Sequence, residues 1–316
     1  MTYLSLIIPF YNEEKNLPLL AKELSRVLPS LNKSFEVIFI DDGSTDDSFN
    51  ALNKLVDDKD NWRIIKFRRN FGQTAAWAAG LDNVKGEVIV ILDADLENDP
   101  SDIPMLLDEI DQGYDIVSGW RKDRWKDKPF TRRLTSKTAN WLIARISGVK
   151  LHDFGCSLKA YRREVLEGVK LYGEMHRFLA VLAFWQGARL TEVEVKFNPR
   201  KFGQSKYGME RIVKVVLDLV VIKFLSGYST KPIYFFGRLG ILSIAFSFLT
   251  FILAVYYKLW GDKSFIETPL PVLTALFFIV GIMFILIGLL AEMVMRTYHE
   301  SRDRKTYSIK EKVNFK

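Results

Sequence analysis

Two stretches of this chain hold no charged side chain, Leu239 to Tyr257 and Thr268 to Ala291, although 26% of its 316 residues are charged. Nothing else in the sequence restricts the fold as strongly. Each run reaches the roughly twenty apolar residues that cross a bilayer as a helix, and a helix of that length in a soluble protein normally keeps a polar face. The connecting segment, "YKLWGDKSFIE", is short, so the spans form a hairpin with both outer ends on one side of the membrane. Lys231, Arg238, Arg296, Arg302, Arg304 and Lys305 flank those ends, whereas in the connector Lys258 and Lys263 balance Asp262 and Glu267. The positive-inside rule then puts residues 1–230 and a tail of residues 297–316 in the cytoplasm, with 231–296 as the hairpin of a multi-pass protein of the inner (plasma) membrane. No signal peptide is expected before Tyr3, and the single cysteine, Cys156, fits a reducing compartment. A net charge of +7 suits an anionic membrane surface. No RNP, zinc-finger or helix-turn-helix signature accompanies it, so nucleic acid is not expected as a partner.

The first 120 residues are patterned differently. Short apolar runs, "LSLIIPF", "FEVIFID", "WRIIKF", "EVIVILD" and "YDIVSG", alternate with amphipathic stretches at Glu13–Leu28, Ser44–Val56, Gln73–Val84 and Asp102–Ile110. That alternation is the signature of βα units and predicts an α/β fold with a doubly wound, mostly parallel sheet. Beyond Gly119 the texture becomes basic and punctuated by aromatic residues. Two amphipathic helices are expected there, near 132–147 and 207–225, the first ending at Gly148. A helix of this kind just before a membrane span most simply lies in the interface plane, with packing against the soluble domain as the alternative.

The run "VIVIL", Val88 to Leu92, reads as a strand buried on both faces, yet Asp93, Asp95 and Glu97 follow it directly. Ligands of open α/β sheets bind at the carboxyl ends of the strands. Pro9, Tyr11, Asn12 and Glu13 after the first strand, and Asp41, Asp42 and Asp46 after the second, are expected at the same edge. So many carboxylates would repel a phosphate unless a hard divalent cation stood between them, held by one or two carboxylates and by the substrate's own oxygens. A P-loop, a G-x-G-x-x-G turn and a G-x-S-x-G elbow are all missing, which argues against a P-loop ATPase, a dinucleotide oxidoreductase and a serine hydrolase.

Six segments in order, "IIPFYNEEKNL", "IDDGSTDDS", "RRNFGQTAA", "LDADLENDP", "HDFGCSLKAYRREV" and "NPRKFGQSKYG", resemble the motifs of inverting nucleotide-sugar glycosyltransferases of the GT-A fold. They are most similar to those of polyprenyl-phosphate glycosyltransferases, the group of dolichyl-phosphate mannosyltransferases and bactoprenol glucosyltransferases. The resemblance covers residues 4 to about 225, and the hairpin resembles that of the bactoprenol branch. It implies that Pro9, Tyr11, Glu13 and Asp42 line the nucleotide pocket. Asp93 and Asp95 would hold the diphosphate and its Mg²⁺ or Mn²⁺, with Glu97 as a further ligand. Arg121, Arg132, Ser136, Arg200 and Lys206 would meet the acceptor phosphate, with Arg133 as the alternative to Arg132. Asp153 would stand near the reacting centre, either orienting the acceptor or acting as a base.

The implied reaction is metal-dependent transfer of one hexose, glucose from UDP-glucose first, to undecaprenyl or another polyprenyl phosphate. A homo-oligomer is compatible with the sequence. A processive polysaccharide synthase is the first alternative, but "QGARL" at Gln186–Leu190 lacks the tryptophan of the Q-x-x-R-W motif, and one hairpin cannot readily form a polymer channel. A non-catalytic nucleotide sensor is the second, and it would not need the basic residues from Arg121 to Lys206.

Overall fold

The apolar runs fold as strands: β1 (Leu4–Phe10), β2 (Phe35–Asp41), β3 (Trp62–Phe67), β4 (Val88–Ile91) and β5 (Ile116–Trp120). The computed structural model describes residues 2–126, 138, 140–141, 143–169, 171, 175–199, 233–261, 263–300 and 306–315. The chain divides into two units, Met1–Ile222 with Lys305–Lys316, and Lys223–Arg304. In the first, helices α1 (Leu17–Ser30), α2 (Ser48–Val56), α3 (Gln73–Leu81) and α4 (Ile103–Asp111) separate the strands. Helix α1 starts four residues later than its periodicity suggests. Asn12 adopts φ 58°, outside helical space, and ties the chain into a loop before Leu17 and Pro18 open the helix.

Three further strands complete the sheet: β6 (Lys159–Arg162), β7 (Leu190–Glu194) and β8 (Ile309–Val313). The order is β7-β5-β6-β4-β1-β2-β3-β8, parallel except at β6 and β8. The expected mostly parallel sheet is therefore present. Strand β6 runs antiparallel between β4 and β5, so Lys159 pairs with Ile91 on one side and Ser118 on the other. Both faces are covered. One packs Ile7, Ile38, Ile91, Trp77 and Phe178 together, and the other packs Leu6, Phe39, Val90, Leu24 and Leu106. Such two-sided burial is why the central parallel strands read as largely apolar runs.

The C-terminal segment, expected as a tail, supplies β8. Tyr307 stacks on Phe67 at 5.2 Å between centroids and donates its hydroxyl to Asp82 at 2.6 Å. The Asn314 amide donates to the carbonyls of Val56, Lys59 and Trp62 at 3.0–3.4 Å from a left-handed backbone, φ 59°. β8 covers the edge of β3 that would otherwise offer unpaired backbone groups. Tyr307→Ala is expected to cost about 3 kcal/mol, seen as a lower melting temperature of the full-length protein, and Tyr307→Phe only about 1 kcal/mol. Equal melting of all three proteins would show that β8 does not contribute to the sheet.

Part of the amphipathic helix expected at 132–147 is described. Ile143 is buried in the core with Ala144 and Ile146 against it, Gly148 closes the helix at φ 74°, and Trp141 remains 64% exposed. The helix expected at 207–225 lies outside the described residues.

In the second unit, α5 (Ile233–Trp260) and α6 (Leu270–Glu300) form the hairpin, and both are long and apolar enough to cross a membrane. The helices meet over small residues. A Cβ on Gly240 would lie 2.8 Å from the Gly281 carbonyl oxygen, and one on Gly281 would lie 2.9 Å from that of Gly240. Ser243 and Ser247 donate across the contact to the carbonyls of Phe277 and Thr274, and Thr250 meets Thr274 at 2.9 Å. These are the packing and hydrogen-bonding devices of helices in lipid, where apolar burial between helices contributes little.

Candidate active site

The sheet reverses its winding between β1 and β4, because β1 crosses over to β2 on one side while β4 lies on the other. A crevice at the carboxyl ends of the strands follows from that reversal. Two clusters of polar side chains stand there.

The first comes from the β1 and β2 loops, which are sewn together. Asn12 accepts from the Thr45 amide at 2.8 Å and donates its own amide N–H to Ser44 at 3.0 Å, while the Glu13 N–H donates to Ser48 at 2.8 Å. Pro9 is buried at the end of β1, and Tyr11 is 37% exposed. Asp42 accepts from the backbone of Phe71 (2.7 Å) and Gly72 (3.0 Å), so it holds the loop that leads into α3. Burial pushes its pKa up against those hydrogen bonds. Gly43 must be glycine: it has φ 73°, and a Cβ would sit 2.4 Å from the Arg69 carbonyl carbon.

The second cluster follows β4. Asp95 is buried and accepts from the Glu97 N–H at 3.0 Å, and this turn sets Leu96 at φ 61°. Asp93 accepts from the Gln73 side chain at 2.8 Å. Burial and the neighbouring charge of Asp95 push the Asp93 pKa up to about 7. Two neighbouring carboxylates in this position form an all-oxygen pair that suits a hard divalent cation completed by substrate oxygens. Among the described residues no three His, Cys, Asp or Glu side chains enclose a metal site by themselves.

Arg121, at the end of β5, joins this cluster to the 153–157 turn. Its guanidinium donates to both Asp153 oxygens, at 2.8 and 3.3 Å, and to Glu97 at 3.1 Å. Arg124 adds an ion pair to Asp153 at 3.6 Å. Burial works to raise the Asp153 pKa, but the two arginines prevail and hold it below the usual carboxylate range. Ser157 accepts from the Asn98 amide at 2.9 Å, and Lys159 reaches under the turn to the carbonyls of Phe154 and Cys156.

The structure therefore brings Asp93, Asp95, Glu97, Arg121 and Asp153 together, with the Asp42 loop beside them. Glu97 faces Arg121 here, and Arg121, expected at the acceptor phosphate, lies only 4% exposed between two carboxylates. Arg132, Ser136, Arg200 and Lys206 lie outside the described residues. Gln73, Arg124, Ser157 and Lys159 were not singled out from the sequence. The position of Gln73 directly after the glycine of "RRNFGQTAA" was the available signal.

The chain matches glycosyl transferase family 2 over residues 5–169. The chain belongs to that family. Within it the chain stands with the polyprenyl-phosphate glycosyltransferases. It is 38% identical over 312 residues to dodecaprenyl-phosphate galacturonate synthase of Rhizobium johnstonii, covering 98% of this chain and 92% of the relative. It is 36% identical over 309 residues to undecaprenyl-phosphate 4-deoxy-4-formamido-L-arabinose transferase of Salmonella choleraesuis, covering 97% and 92%. Among solved structures, glucosyl-3-phosphoglycerate synthase from Mycobacterium tuberculosis in complex with Mn²⁺ and UDP-glucose superposes with a TM-score of 0.53, at 18% identity, over 71% of this chain and 78% of that one. At that identity the likeness of the glycosyltransferase to it concerns the GT-A fold alone.

Proposed function

We propose that this glycosyltransferase moves a single sugar from a uridine diphosphate sugar to a polyprenyl phosphate, with inversion at the anomeric carbon, at the cytoplasmic face of the membrane. The observation that carries the reading is the linked set of Asp93, Asp95, Arg121 and Asp153 at the sheet's switch point. Both relatives are named for sugar transfer to a polyprenyl phosphate, which supports the acceptor class. The hairpin supports it physically, since drawing a polyprenyl chain out of lipid would cost about 0.8 kcal/mol per exposed CH₂. The charge bias around the hairpin supports the cytoplasmic side.

A phosphate monoester has a second pKa of about 6, so the attacking oxygen is already ionised near neutral pH and needs no strong base. Asp153, held as a carboxylate by Arg121 and Arg124, is a poor proton acceptor. We therefore assign it to orientation and reject the role of general base. As the acceptor oxygen bonds to the anomeric carbon, the bond to the diphosphate breaks and negative charge grows on the leaving group. Asp93 and Asp95 would hold a Mg²⁺ or Mn²⁺ ion, which supplies Lewis-acid stabilisation of that charge. The loops around Glu13 and Asp42 would hold the nucleoside, and the basic residues Arg132, Arg200 and Lys206, with Ser136, the acceptor phosphate.

The resemblance favours glucose as the sugar, while the relatives' names make galacturonate and 4-deoxy-4-formamido-L-arabinose the competing donors. Membranes carrying the protein and undecaprenyl phosphate should be given each UDP sugar in labelled form, with GDP-mannose as a control. Label from one UDP sugar is expected in the organic phase, one sugar per lipid. Labelled polymer would identify a processive synthase, and nucleotide binding without any lipid-linked label would identify a sensor.

A further inference from the structure

The N-terminus of α3 is the place where the two clusters of the site meet. Asp42 grips the N–H groups of Phe71 and Gly72 just before the helix. Gly72 itself has φ 92°, a left-handed conformation that turns the chain sharply into the first helical residue. Immediately after it, Gln73 reaches across to Asp93, with its amide nitrogen 2.8 Å from Oδ1. The next residue, Thr74, is buried and shares a 2.7 Å hydrogen bond with Nδ1 of the buried His176, whose ring meets Trp77 edge-on at 5.6 Å. The Gln73 side chain is exposed, yet its root is fixed on both sides, by Asp42 before it and by His176 after it. An exposed glutamine loses about 2 kcal/mol of side-chain freedom at most when it is ordered, and a fixed root reduces what must be lost.

We propose that Gln73 is a positioning residue for the carboxylate of Asp93. The inference rests on the metal-dependent transfer proposed above. By donating to Oδ1, the amide, together with the Ser157 hydroxyl that also reaches this carboxylate, fixes the carboxylate's rotation without adding a charge of its own. Partners that orient ligating carboxylates in this way typically change metal affinity 10–100-fold when removed. Because the same helix start is held by Asp42, the Gln73 contact also ties the cation's carboxylate to the nucleotide loops.

Gln73→Met keeps the length of the side chain and removes the donor. In the full-length protein in detergent with UDP present, Mn²⁺ binding followed by electron paramagnetic resonance is expected to weaken at least about 10-fold. The Mn²⁺ concentration for half-maximal transfer should rise in parallel, turnover at saturating Mn²⁺ should largely return, and the melting temperature should stay that of the wild type. Gln73→Asn, one methylene too short, should behave as Gln73→Met does. Thr74→Val frees the root and is expected to weaken Mn²⁺ binding in the same direction. Wild-type affinity in Gln73→Met would overturn the assignment of Gln73 while leaving the metal reading intact. A wild-type protein that transfers sugar from its UDP sugar with no Mn²⁺ or Mg²⁺ requirement would overturn the metal reading and this inference with it.

Discussion

Asp95→Asn is expected to lower sugar transfer at least about 100-fold, the scale for losing one well-placed electrostatic stabiliser. The substitution keeps shape, and an amide oxygen can still accept the Glu97 N–H that Asp95 accepts at 3.0 Å, so the turn and the fold should survive. What is lost is one of the two charges proposed to hold the cation. Removing it also removes one of the causes, after burial, that push the Asp93 pKa up to about 7. The purified variant should therefore bind UDP sugar weakly in a metal-insensitive way and melt near the wild-type temperature. Turnover close to wild type at saturating donor and metal would refute the assignment of the cation to Asp93 and Asp95.

Arg121→Met should act on stability as well as on activity. The guanidinium is 4% exposed and separates two carboxylates, Asp153 and Glu97. Taking it away leaves the buried Asp153 with only the longer pair to Arg124, and breaking a buried pair typically costs about 3–5 kcal/mol. In a unit of this size that corresponds to a fall in melting temperature of about 10 °C. Arg121→Met with Asp153→Asn removes charge of both signs and should recover part of the lost stability, though none of the activity. An Arg121 that served only to bind acceptor phosphate would behave otherwise: Arg121→Met would raise the acceptor requirement and leave melting unchanged. Melting therefore separates the expectation drawn from resemblance from the role that the geometry assigns.

The ends of β1, β2 and β3 were legible to the residue, because a strand buried on both faces shows as an apolar run that stops where the sheet stops. The hairpin was legible for a related reason: in lipid an uncharged run of sufficient length has few other stable forms. The D-x-D pair was visible as carboxylates at the end of such a run, a local contradiction in the sequence itself. β6 and β8 left no such trace. "KAYR" and "IKEKV" hold charged residues and no apolar run, and only pairing with β4, β5 and β3 makes them strands. The same holds within the site. The motifs placed Asp93, Arg121 and Asp153 in one neighbourhood, but the contacts Gln73–Asp93, Arg121–Glu97 and Arg121–Asp153 join residues 20 to 32 positions apart. Sequence determines which residues end each strand, since burial is paid out along the chain in a regular period. Which of those ends face each other depends on strand order, and strand order is fixed by pairings between distant segments that no local pattern records.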